Sequence, residues 1–131
     1  MSNTEKTAAL SAIATGVRPV NAGKSKFRIG TKLVHVRFCS EDAAGSKKFK
    51  FNINPNTLTA DFELWVCGSA QTYYLMPVAL MRSIYEDPNT YVDRAHPEIR
   101  VVSVDAGNNT VTYASGGTYK SLREYLNAKL S

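Results

Sequence analysis

The run Lys48-Phe49-Lys50-Phe51-Asn52-Ile53 alternates polar and large apolar side chains for six residues without a break. A period of two places Phe49, Phe51 and Ile53 on one face of a strand and Lys48, Lys50 and Asn52 on the other; a helix would scatter both sets around its axis. The pattern recurs on either side. Val34, Val36 and Phe38 alternate with His35, Arg37 and Cys39, while Phe62, Leu64 and Val66 alternate with Asp61, Glu63 and Trp65. Tyr73 to Met76 reads as a further strand. Turn chemistry separates the segments: Glu41, Asp42 and Gly45, then Asn54-Pro55-Asn56, then Gly68 to Gln71. Four short strands with short connections predict an antiparallel meander whose three apolar faces share one core.

Helical signals flank this block. Asn3-Thr4-Glu5 offers a cap and an early acid, which predicts a helix from Thr4 to about Ala14, stopped by Gly16 and Pro19. Residues 20–26 read as loop, and Gly30-Thr31 cuts a short strand at Phe27 from the longer one that follows. Pro77 suits a helix start, and Val78, Met81, Ile84 and Tyr85 form one apolar stripe ending near Asp87-Pro88. After a polar loop over 88–98, residues 98–104 and 110–114 flank Gly107-Asn108-Asn109 as a hairpin. Tyr119, Leu122, Leu126 and Leu130 suggest a last helix over 118–130. The expected fold is α+β in a single domain, residues 1–131: a mainly antiparallel or mixed sheet of about 5–6 strands, flanked by about three helices.

Composition narrows the function classes. Apolar residues are 44% and charged residues 21%, ordinary for a globular chain. No apolar stretch approaches the ~18 residues of a membrane span, and residues 1–14 do not read as a secretory signal. A cytoplasmic protein with no membrane partner is expected, with Cys39 and Cys67 as reduced, buried thiols. Two cysteines and two histidines do not make a zinc site. Neither a phosphate-cradling glycine loop nor a nucleophile elbow is present, so no cofactor is implied.

Charge is the more directive signal. The chain carries +5, yet residues 1–50 hold ten Lys/Arg against three Asp/Glu, and residues 51–131 hold six against eight. Arg18, Lys24, Lys26, Arg28, Lys32, Arg37, Lys47, Lys48 and Lys50 thus form a candidate polyanion-binding surface, with a solvated, aggregation-resisting sheet edge as the plainer explanation. His35 and Arg37 share one strand face. A neutral imidazole beside a guanidinium is a candidate general base or phosphate contact; the plainer reading is a pair pointing at a helix or at solvent. Trp65 shares its face with Asp61 and Glu63, so the first or last helix, or a partner, is expected to cover it.

The stretches His35-Val36-Arg37, Lys48-Phe49-Lys50-Phe51, Ala60-Asp61-Phe62 and Tyr73 to Pro77, in this order across residues 27–85, resemble small members of the PD-(D/E)xK (restriction-endonuclease-like) superfamily. Catalysis in that superfamily uses an acid on one strand and an acid-x-Lys or Gln-x-Lys on the next to hold a divalent cation. Here the matching positions are His35 and Arg37, and no Asp or Glu lies between Val17 and Ser40. The resemblance therefore implies a degenerate relative that keeps a scaffold and a binding face without the metal. The favoured expectation is a non-catalytic nucleic-acid-binding protein. Alternatives are an unconventional nuclease using His35 and Arg37, and a protein- or small-ligand-binding module in the form of a homodimer.

Overall fold

A computed structural model of the chain describes residues 2–130. Among these the fold is α+β, with two α-helices and nine strands in two mostly antiparallel sheets. The helix α1 (Ser2–Ala14) comes first. Ala9, Leu10, Ile13 and Ala14 form its buried stripe, and Thr15 and Gly16 end it in left-handed backbone conformations.

Strands β1 (Val20–Gly23), β2 (Lys26–Ile29), β3 (Lys32–Cys39), β5 (Phe62–Cys67) and β6 (Tyr73–Pro77) make the first sheet, in the order β1-β2-β3-β5-β6. Strands β4 (Lys48–Ile53), β7 (Arg100–Asp105), β8 (Thr110–Ala114) and β9 (Thr118–Ser121) make the second, in that order. The helix α2 (Val78–Tyr85) leaves the end of β6 at once. Proline at its N-cap, with extended backbone, fits a residue that cannot donate into a strand ladder.

Period-two alternation sorts the first sheet into two apolar faces. Val34, Val36, Leu64, Val66, Tyr73 and Leu75 pack under α1. Trp65, Cys67, Tyr74 and Met76 face the other way and meet Phe49, Phe51, Ile53, Val102, Val104, Val111 and Tyr113 of the second sheet, with Met81, Ile84 and Tyr85 of α2 completing that layer. The order of layers is helix, sheet, sheet. Among the described residues no layer covers the outer face of the second sheet.

Several expectations are corrected. The meander does not form: β3 and β5 are parallel neighbours, paired from Val34↔Phe62 to Cys39↔Cys67. Parallel neighbours need a crossover, and here the excursion into the second sheet as β4 supplies it. The predicted common core is two cores, because β4 faces the side of the first sheet opposite to Val34 and Leu64. Trp65 is fully buried, and Phe51 stacks on it across the sandwich, with ring centroids 4.3 Å apart and planes 16° apart, so its cover comes from within the chain and not from the first helix or a helix over 118–130. Residues 118–130 are not a helix. Thr118–Ser121 pair with β8, and a single 3-10 turn at Arg123–Tyr125 follows. Helix spacing at Tyr119, Leu122 and Leu126 was coincidental: Leu122 is buried under sheet two, whereas Tyr119 is 63% exposed. Residues 20–26 carry β1 and the start of β2 rather than a loop.

Candidate nucleic-acid interface

The basic residues of the first fifty part company because the chain changes sheets between Cys39 and Lys48. Arg18 is exposed ahead of β1, and Lys24 stands at positive φ in the β1–β2 turn. Lys32 opens β3 with the parity of Val34, on the side that α1 covers. Lys26 pairs with His35 and Arg28 with Leu33, so both lie on the sandwich-facing side of the first sheet, at its β2 flank. There the Lys26 ammonium donates to the Thr59 hydroxyl. Lys47 precedes β4 and its backbone N–H donates to Glu41 at 2.8 Å. Lys48 and Lys50 alternate outward on β4, both exposed.

Arg37 is engaged from within. Its Nε donates to Glu63 Oε1 at 2.7 Å and its Nη2 to Thr57 Oγ1 at 2.8 Å. Glu63 has no exposed surface, yet three donors reach it: Arg37, the indole Nε1 of Trp65 at 3.2 Å, and His35 Nδ1 opposite Oε2 at 3.1 Å. A carboxylate facing Nδ1 holds a proton on that nitrogen, so His35 donates to Glu63 from there. The network follows from the parallel register, in which His35 is beside Glu63 and Arg37 beside Trp65. Three donors repay the desolvation of a buried carboxylate. The segment between β4 and β5 lies over this patch, held by Thr57 and Thr59 and by the Asp61 carboxylate, which accepts from Leu33 N at 2.8 Å.

The bare face of the second sheet is organised differently. Cross-strand pairing lines up Lys50, Ser103, Thr112 and Tyr119 in one row, and Lys48, Asp105, Thr110 and Ser121 in the next. A shallow, open depression runs along these rows, with Tyr119 at one side and Lys48 at the other. Asp105 is the acid on this face, and its carboxylate is occupied by the β7–β8 turn, accepting from Gly107 N at 2.8 Å and from Asn108 N and Nδ2 at 3.2 Å. Neither Lys48 nor Lys50 forms an ion pair among the described residues. Sequence reasoning found these two lysines and missed Tyr119, Ser103 and Thr112. The available signal was the polar alternation of Thr110, Thr112 and Thr118-Tyr119-Lys120-Ser121, which has strand period.

Burial acts on several phenols. Desolvation pushes the Tyr74 phenol up to about 12, with Cys67 and Asp105 adding to it, and raises Tyr85 further still. The hydroxyls of Tyr73 and Tyr85 are buried without a hydrogen-bond partner among the described residues.

Fold and site together define a helix-backed sandwich of two sheets that leaves one polar, lysine-bearing sheet face open. No protein-family model, curated protein or solved structure matches the chain.

Proposed function

We propose that the open face of the second sheet binds single-stranded nucleic acid without catalysing its cleavage. The observation that carries the reading is the row Lys50–Ser103–Thr112–Tyr119, which sets an exposed aromatic ring and an unpaired ammonium on one uncovered sheet. Single strands are held by such a combination: bases stack on aromatic rings, and lysines follow the phosphates. Serine and threonine hydroxyls between the two serve as adaptable donors to phosphate or sugar. Lys26 and Arg28 lie on another surface and extend the positive field, which assists encounter rather than contact. Glu63 already satisfies Arg37 and orients His35, which favours a structural role for that pair over the nuclease alternative.

Anisotropy of a labelled oligothymidine tests the reading. Binding is expected to be weak and salt-dependent, with log K falling against log[salt] at a slope of about −2 for two or three phosphate contacts. Replacing Tyr119 with Ala removes one stacking platform and should weaken binding by about 1–3 kcal/mol. Lys48→Glu with Lys50→Glu should abolish it. Absence of binding at ~20 mM salt, or affinity indifferent to all three substitutions, would refute the assignment.

A further inference from the structure

Cys39 and Cys67 are separated by 28 positions in sequence but are register partners at the ends of β3 and β5. Partners side by side on adjacent strands have Cα atoms about 4.8 Å apart, inside the roughly 4.4–6.8 Å that a disulfide spans. Both side chains share the parity of His35 and Glu63 and point into the layer between the sheets, where Cys67 is core and Cys39 packs against it. Neither thiol belongs to the lysine-bearing face. A cavity of about 530 Å³ opens onto Cys67 between Phe49, Gly68 and Thr72, and Cys39 is itself partly exposed.

We propose that Cys39 and Cys67 are a dithiol site that a low-molecular-weight disulfide oxidises reversibly to an internal disulfide. The Cys39 thiolate attacks one sulfur of the reagent, forming a mixed disulfide and releasing one thiolate. The Cys67 thiolate then attacks Cys39 Sγ, the internal S–S bond forms, and the second reagent thiolate leaves. Two protein thiols are oxidised, one reagent disulfide is reduced, and the two protons pass through solvent to the released thiolates. Cys39 is the entering nucleophile because it is the less buried of the pair. Desolvation raises both thiols, Cys67 far more than Cys39, so thiolate is scarce near neutrality and the reaction accelerates with pH. Side chains on adjacent strands stand parallel rather than convergent, which strains the bond and keeps it reducible.

The Cys39 thiol donates to the Lys50 carbonyl at 2.9 Å and lies 3.2 Å from the Ser40 carbonyl. Oxidation removes that proton, so this hydrogen bond from β3 to β4 is given up when β3 is joined to β5.

The folded full-length chain, incubated with glutathione disulfide at a pH near the ordinary thiol pKa and quenched in acid, decides the matter by intact mass and by counting alkylatable thiols. The expected product is a monomer lighter by two hydrogens, with both thiols lost together and restored by dithiothreitol. In Cys67→Ser the reaction should halt at a stable glutathione adduct on Cys39. In Cys39→Ser, adduct formation on Cys67 should be at least several-fold slower than that. The proposal fails if the wild type accumulates adducts without an internal bond, cross-links only between molecules, or retains both thiols while its circular dichroism stays native.

Discussion

At position 63 a carboxylate without exposed surface receives an imidazole, a guanidinium and an indole. Such a group is costly to disturb one partner at a time, because the survivors stay desolvated. Glu63→Gln keeps the shape and removes the charge, leaving Arg37 facing a neutral amide; the expected loss is about 3–5 kcal/mol by denaturant melt. Glu63→Gln combined with Arg37→Met should cost less than the sum of the two single changes, since the pair then disappears together. The buried Tyr85 hydroxyl is the opposite case, a polar atom with no partner to lose. Tyr85→Phe should leave the unfolding free energy unchanged or raise it by up to about 1 kcal/mol. A melt in which Tyr85→Phe destabilises as strongly as Glu63→Gln would mean that the hydroxyl has a partner after all.

Among the elements, β4 shows most clearly what periodicity specifies. Phe49, Phe51 and Ile53 are buried and Lys48, Lys50 and Asn52 exposed, as the alternation predicts. Phe51→Ala removes a ring stacked on Trp65 and should cost about 3–5 kcal/mol, whereas Lys50→Ala should stay within about 0.5 kcal/mol. Reversal of that order in paired denaturant melts would place β4 one residue out of register. The strand faces, α2 and the hairpin at Gly107-Asn108-Asn109 were legible because each depends on neighbours in sequence. Pairing was not. Nothing local to β3 distinguishes a parallel neighbour at Phe62 from an antiparallel one at Lys48, so the Glu63 network and the Cys39–Cys67 juxtaposition were beyond reach. The contiguous run of cations was legible as charge but not as a surface, because a crossover between sheets divides it. The segment after Gly117 misled for a physical reason: four apolar residues at three- and four-residue intervals satisfy a helix pattern, but tertiary pairing with β8 overrides it.

For the molecule as a whole, buried phenols set an alkaline limit. Tyr74 holds its proton to about 12 in the folded state, whereas an unfolded chain releases it near ~10. Because the folded value is raised, the stabilisation is complete below the unfolded value and is lost as pH rises towards the folded one. Denaturant melts should therefore be flat with respect to these groups up to about pH 9.5 and fall above it, and the phenolate absorbance of Tyr74 and Tyr85 should appear together with unfolding rather than before it. A phenolate signal from all seven tyrosines near their ordinary value, with the fold intact, would contradict this. The interleaving of the sheets also has a history in time. β4 is synthesised between two strands of the first sheet, but its ladder partner β7 begins only at Arg100. A nascent chain therefore carries β4 as an orphan, with Phe49, Phe51 and Ile53 exposed and both edges unpaired, until most of the protein has been made. Orphan strands of this kind recruit copies of themselves, and flanking cations are the common safeguard. Lys48 and Lys50 alternate with those three apolar side chains, the placement by which cations discourage one strand from pairing with a copy of itself.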